Sequence, residues 1–344
     1  MNSAGVSDSR LKHAYRKPVL APYAYSRYTE PIAKYPRARR NQLKAIRPLD
    51  LQILTLLQAN IFQAAWPAIG NWNQFPWHKG SNGQPDTWKP HSSQALAIDV
   101  FGTICTSDAK ANILNTLARQ AGLQESSTWS LFLEWLDPAN IMREINQRTQ
   151  VDALAMSDTG MIFFECKFTE TDGGQCSQPS PIHHGPHQGL VQCNGNFETQ
   201  TNPVNHKTAR CALSAKGVRY WEIIPQVFRI ELTEDHRPCP FAGTWYQWMR
   251  NITNAYAIAQ ATGRQAAFFL VYADAPNLPI AKMVRSAQWE AFSGFIRPNR
   301  VKLVAISFQD LLHKISETDP SGSWKELNTW VFRKIEKADA EINA

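Results

Sequence analysis

The chain reads as a mixed α/β domain: a central sheet flanked by helices. Three observations predict this. An apolar hairpin is legible at residues 148–170, RTQVDALAMSDTGMIFFECKFTE. Two further apolar strands follow at 266–273 (AAFFLVYA) and 301–308 (VKLVAISF), separated and followed by helical stretches. Helical patterns also precede the hairpin. A hairpin followed by alternating strands and helices requires a sheet with parallel and antiparallel neighbours, covered by helices on its faces.

The 344 residues are 43% hydrophobic and 19% charged, enough to bury a substantial core. No run of eighteen apolar residues occurs, so no transmembrane helix is expected, and the N-terminus lacks the apolar centre of a secretory signal. A cytoplasmic protein with reduced thiols is the expectation. The formal charge of +7 is unevenly spread. Between Arg10 and Arg47, eleven Lys/Arg face one acid, Glu30, so the remainder of the chain is mildly acidic. Tyr15, Tyr23, Tyr25, Tyr28 and Tyr35 are interleaved with these cations. That mixture suits a nucleic-acid backbone and its bases; a solvated leader is the alternative. With five prolines, residues 1–48 read as an arm rather than a domain, leaving 49–344 as the folded unit.

Residues 49–66 (LDLQILTLLQANIFQAAW) predict a long, mostly buried helix with Asp50 near its N-cap. The Trp-, Asn-, Gly- and Pro-rich segment 67–90 predicts an irregular loop packed down by Trp72, Trp77 and Trp88. Residues 91–105 and 109–123 read as helices, the first capped by Ser92 or Ser93. Residues 130–135 (SLFLEW) read as a strand interrupted by Glu134.

The hairpin carries the chemistry. Ser157, Asp158, Thr159 and Gly160 are turn formers. Strand side chains alternate faces, so Glu165 and Lys167 share one face, opposite Phe164, Cys166 and Phe168. If the turn closes at Asp158-Thr159, Ser157 opposes Gly160 and Asp152 falls opposite Glu165, with Cβ atoms about 5 Å apart. A three-residue loop would slip the register and separate the acids. Adjacent carboxylates repel and invite a hard divalent cation. A neighbouring ammonium can orient a water or offset charge at phosphorus. A half-exposed hairpin with a cross-strand salt bridge is the plainer reading.

Asp152, twelve intervening residues, then Glu165-Cys166-Lys167 resembles the PD-(D/E)xK nuclease superfamily, although Val151 stands where that family often has proline. The resemblance implies a restriction-endonuclease-like αβββαβ core, here about residues 91–313. It implies Mg²⁺ or Mn²⁺ held by Asp152, Glu165 and the Cys166 carbonyl, with Lys167 positioning the attacking water. The family's helix before the sheet often lends a polar residue to the metal, which makes Gln94 and Asp99 candidates. Asp99 on an amphipathic helix has a solvated face as its ordinary reading. Glu134 is a further candidate, with a surface-facing acid as the alternative.

The helix after the lysine strand often carries a Q-x-x-R pattern in that superfamily. Gln247-Trp248-Met249-Arg250, within 242–262, matches it. Gln247 and Arg250 share a helix face, and a guanidinium suits phosphate oxygens. The implied activity is that of a metal-dependent endodeoxyribonuclease of restriction or genome-defence type. The partners are DNA and a second copy of the chain, since double-strand cutting usually takes two sites. A non-catalytic nucleic-acid-binding module and a structure-specific repair or recombination nuclease are the alternatives.

Between hairpin and helix lies a long insertion, about 171–235, whose first half is rich in Gly, Pro, His, Asn and Gln. A loop this long is functional or held by something. Cys176, Cys193, Cys211 and Cys239, near His183, His184 and His187, could bind a structural Zn²⁺ or be ordinary buried cysteines, and no C-x₂-C pair decides it. Residues 216–231 read as partly extended, forming a satellite hairpin or a cover for the sheet. Residues 281–295, 309–315 and 324–339 read as helices. Asp158-Thr159-Gly160 matches the aspartic-protease tripeptide, but that chemistry needs two such loops. No P-loop, G-x-G-x-x-G or G-x-S-x-G context supports nucleotide or serine hydrolysis.

Overall fold

A computed structural model of the chain describes residues 49–81, 83–145, 148–320 and 323–342. The basic, tyrosine-rich arm 1–48 lies outside the described residues. Helix α1 (Leu51–Asn60) opens the fold, with Asp50 Oδ1 capping it by accepting from the Gln52 N–H at 2.8 Å. It is followed by α2 (Trp66–Ile69), α3 (Ser93–Ala97), a π-helical turn (Ile98–Gly102), α4 (Thr103–Thr106) and α5 (Lys110–Gln120). Strands β1 (Ser130–Leu136), β2 (Gln150–Met156) and β3 (Gly160–Lys167) form an antiparallel meander. The insertion contributes β4 (Gln200–Thr201), β5 (Thr208–Ala209), α6 (Ala212–Ala215) and α7 (Tyr220–Val227). The fold then returns through α8 (Tyr246–Thr262), β6 (Gln265–Tyr272), α9 (Pro279–Val284), α10 (Ala287–Phe295), β7 (Lys302–Ser307), α11 (Phe308–Thr318) and α12 (Ser323–Ile342).

The five-stranded sheet has the order β1-β2-β3-β6-β7, and β6 and β7 run parallel to β3. This is the mixed sheet flanked by helices that the strand and helix pattern predicts. Each face supports its own core. Ala153, Ile162, Phe164, Ala267 and Phe269 point into one layer with α1, α5, α11 and α12. Leu154, Met161, Phe163, Phe268 and Leu270 point into the other with α7, α8 and α10. β3 is buried along its whole length, as a strand covered on both faces must be.

Three segments differ from the sequence reading. The first helix ends at Asn60 and buries only Leu57. Asn60 Nδ2 donates to the Thr87 and Lys89 carbonyls at 2.8 and 2.9 Å, tying the helix end to the Trp-rich loop. Residues 220–227 are helical rather than extended. Tyr220, Trp221, Ile224 and Val227 recur at helical spacing and are all buried, a period masked by the local aromatic and β-branched content. The helix expected at 281–295 is two, α9 and α10, joined at Arg285-Ser286.

Asp99 is neither solvated nor at the hairpin. It sits fully buried in the π-helical turn. Its carboxylate accepts from the Phe62 N–H (2.7 Å) and Trp330 Nε1 (2.9 Å) and pairs with Lys334 Nζ at 2.7 Å. It clamps α12 and the segment after α1 onto the helical layer. Burial pushes its pKa up, against the pull of Lys334. Removing one partner strands a buried charge, so Lys334→Met should cost about 3 kcal/mol in chemical denaturation. A loss below about 1 kcal/mol would show that the clamp is not structural.

Candidate active site

The β2–β3 turn sets the site. The Ser157 N–H donates to the Gly160 carbonyl at 2.8 Å, and Met156 pairs with Met161 and Ala153 with Phe164. Continuing that register puts Asp152 opposite Glu165. On the other side, Leu133 pairs with Ala153 and Trp135 with Val151, so Glu134 faces Asp152 across β1–β2. Glu134, Asp152 and Glu165 therefore form one row of carboxylates across three strands. All three are buried.

The backbone is strained at Glu134. Its φ is 50°, the left-handed region that costs a non-glycine residue about 1–2 kcal/mol. Leu131 and Leu133 point into one core layer, whereas Trp135, past the kink, packs into the other. A surface-facing position for Glu134 is thus replaced by one that is 2% exposed.

Each carboxylate has distinct company. Asp152 Oδ2 accepts from the Cys166 N–H at 2.6 Å. Glu165 Oε1 pairs with Lys167 Nζ at 2.8 Å, and its Oε2 accepts from Asn251 Nδ2 at 2.7 Å. Glu134 Oε2 accepts from Gln150 Nε2 and lies 3.7 Å from His78 Nε2. Glu134 Oε1 is buried without a hydrogen-bond partner. Ligand atoms of His78, Glu134 and Asp152 lie within 4.8 Å of one another. An orphaned buried oxygen beside two more donors fits a cation better than it fits an apolar core.

Helix α8 supplies the roof. The Gln247 N–H donates to the Gly173 carbonyl at 2.7 Å, which seats the start of the helix over the strand end. Gly173 packs so closely on Trp248 that a Cβ there would sit 2.6 Å from the indole, hence glycine. Gln247 Oε1 accepts from Lys167 Nζ at 2.8 Å. Arg250 turns toward the insertion, pairing with Glu144 at 3.0 Å and donating to Tyr220 Oη at 2.9 Å. It lines both the cleft over the carboxylate row, ≈ 680 Å³, and an adjoining one of ≈ 530 Å³. Gln94 takes a supporting position: its Oε1 accepts from the His78 N–H at 2.8 Å, fixing the loop that carries the imidazole.

The electrostatics follow from crowding. Burial, then the charges of Glu165 and Glu134, holds Asp152 well above the usual carboxylate range. Burial also raises Glu134, and His78, Gln94 and Gln150 only partly offset it. Burial opposes the Lys167 ammonium, but Glu165, Glu170 and Asp152 outweigh it and keep the lysine charged. Burial likewise opposes the charge of Glu170, yet Lys167 and hydrogen bonds from Ser93 and the Phe168 N–H hold its pKa down. The surrounding carboxylates thus favour the charged form of Lys167.

The family described as Restriction Endonuclease associating with ARP matches residues 67–329. The chain belongs to this family. No curated protein and no solved structure matches it. The span shared with the restriction-endonuclease family contains the whole cleft, from His78 to Asn251, and excludes the basic arm.

Of the residues singled out from sequence, Asp152, Glu165, Cys166, Lys167, Gln247 and Arg250 all line this cleft. Sequence reasoning did not single out His78, Gln150, Glu170 or Asn251. Asn251 was within reach, because it lies four residues from Gln247 on the same helical face.

Asp152 and Glu134 keep their protons to higher pH in the folded chain than in the unfolded one. The stability tied to that preference is present in mild acid and is lost as pH rises through the raised values. Glu134→Gln should flatten this loss and raise the stability of the metal-free protein at neutral pH by about 1 kcal/mol or more, seen as a melting shift of a few degrees. A lowered melting temperature would mean that the carboxylate is structurally needed.

Proposed function

We propose that this protein is a divalent-metal-dependent endonuclease that hydrolyses DNA phosphodiester bonds. The observation that carries the reading is the row of buried carboxylates with one charged lysine at the floor of an open cleft. Membership of a restriction-endonuclease family supports the same chemistry.

Asp152, Glu165 and the Cys166 carbonyl would hold Mg²⁺ or Mn²⁺, and Glu134 and His78 add donors within reach. The ion, when bound, polarises a phosphoryl oxygen and acidifies a water. The protein's own groups do the rest. Lys167, fixed by Glu165 and Gln247, places a permanent positive charge where negative charge builds on the phosphorus oxygens. The same ammonium donates to the attacking water and orients it. Asn251 holds Glu165 from the roof and so fixes the lysine indirectly. Arg250 at the cleft wall contacts the phosphate backbone on the side of the adjoining cleft. The interleaved cations and tyrosines of residues 10–47 supply sequence-independent affinity for the polymer. A dimer would bring two such sites to the two strands.

Plasmid incubated with the protein should be cut with Mg²⁺ and left intact with EDTA. Lys167→Ala should reduce the cleavage rate about 10²-fold or more while leaving DNA affinity within a few-fold. Cleavage by the alanine variant at the original rate would remove the lysine from the mechanism, and cleavage insensitive to EDTA would remove the metal.

A further inference from the structure

The insertion between β3 and α8 has little regular structure of its own: two two-residue strands and the helices α6 and α7. Its four cysteines come from four separate segments, yet Cys176, Cys193, Cys211 and Cys239 line one small cavity of ≈ 30 Å³. The main chain ties these segments together. The Cys176 N–H donates to the Ala242 carbonyl at 3.0 Å, and the Cys239 N–H to the Gly195 carbonyl at 2.9 Å.

The four sulfurs share a local electrostatic setting. The Gly195 N–H donates to Cys193 Sγ at 3.4 Å, and the amides of Gln178, Leu213 and Phe241 favour the thiolates of Cys176, Cys211 and Cys239 against the burial that raises their pKa. In every case the amide is the one two residues on. The Ser214 amide and the Trp221 side chain favour the Cys211 thiolate in the same way. A neutral thiol is a weak acceptor, and packing alone gives no reason for four such turns to converge. Amides aimed at sulfur are the outer hydrogen bonds that support thiolates bound to a metal. Lys216 lies beside Cys176 and Cys211, where it offsets excess negative charge.

We propose that these four cysteines bind one structural Zn²⁺, which fastens the insertion to the nuclease fold. Four thiolates, a tetrahedral preference and the absence of an open position suit zinc. His183, His184 and His187 do not line the cavity, so the site is a four-sulfur one. Among the described residues, only His78, Glu134 and Asp152 have ligand atoms already within 4.8 Å of one another. The sulfurs therefore draw inward when the ion binds, and four protons leave as it does. The consequence reaches the cleft. Tyr246 borders the cysteine cavity and the adjoining cleft, and its ring lies 5.5 Å from the Arg250 guanidinium. The ion thereby fixes the start of α8 and the wall that holds Arg250.

Native mass spectrometry and elemental analysis of the full chain, purified without added metal, should find about one zinc per chain. A mercurial thiol reagent should release it. Cobalt exchanged into the site should show the intense visible bands and the sulfur-to-metal charge-transfer band of a tetrahedral tetrathiolate. Cys176→Ser and Cys239→Ser should lose the metal, whereas Cys105→Ser should keep it. If the serine variants do not fold, the stoichiometry and cobalt spectrum of the unaltered chain still decide. Folded protein without bound metal, with the four thiols free or joined in disulfides, would overturn the proposal. Neither outcome depends on whether the protein cuts DNA.

Discussion

The structure depends on a charge conflict at the end of the β1–β2–β3 meander. Three carboxylates occupy one row across the strands, with a single ammonium beside them. Such a group cannot be left dry and unpaired, because each desolvated charge costs several kcal/mol. Hydrogen bonds satisfy part of it: Asn251 on Glu165, the Cys166 amide on Asp152, Gln150 on Glu134. The remainder is one orphaned oxygen on Glu134 and an excess of negative charge. Protons or a cation must supply what is missing.

The rest of the fold holds that conflict in place. Two apolar layers clamp β2 and β3 from both faces, so the row cannot relax by twisting outward. Gly173 lets α8 close over the strand end and set Gln247 on Lys167. Asp99 and Lys334 lock the opposite helical layer. The left-handed backbone at Glu134 is a strained conformation for a residue with a Cβ. Strain of this kind is tolerated where an exposed or bound group returns the free energy.

Much of this was legible in the residues. A two-residue turn at Asp158-Thr159 fixes the register of the hairpin, and register alone decides that Asp152 meets Glu165. The apolar runs in 266–273 and 301–308 declare buried strands. Other parts were hidden because they depend on distant contacts. Glu134 joins the row through the β1–β2 register, a long-range pairing that the sequence of β1 alone does not announce. His78 arrives on an irregular loop positioned by the Gln94 amide, and nothing local in either residue announces the pairing. Arg250 shares a face with Gln247 as expected, but its partner Glu144 lies more than a hundred residues away and turns it toward the insertion. The helix at 220–227 was masked by aromatic and β-branched residues whose spacing is nevertheless helical.

The central claim is that a divalent cation completes the carboxylate row. Anomalous diffraction from crystals equilibrated with Mn²⁺ tests it directly. The account predicts one dominant peak bonded to Asp152 and to at least one of Glu134 and Glu165, with Lys167 beside it and not displaced. Manganese absent from this row under conditions that support DNA cleavage, or bound only elsewhere on the protein, would contradict it.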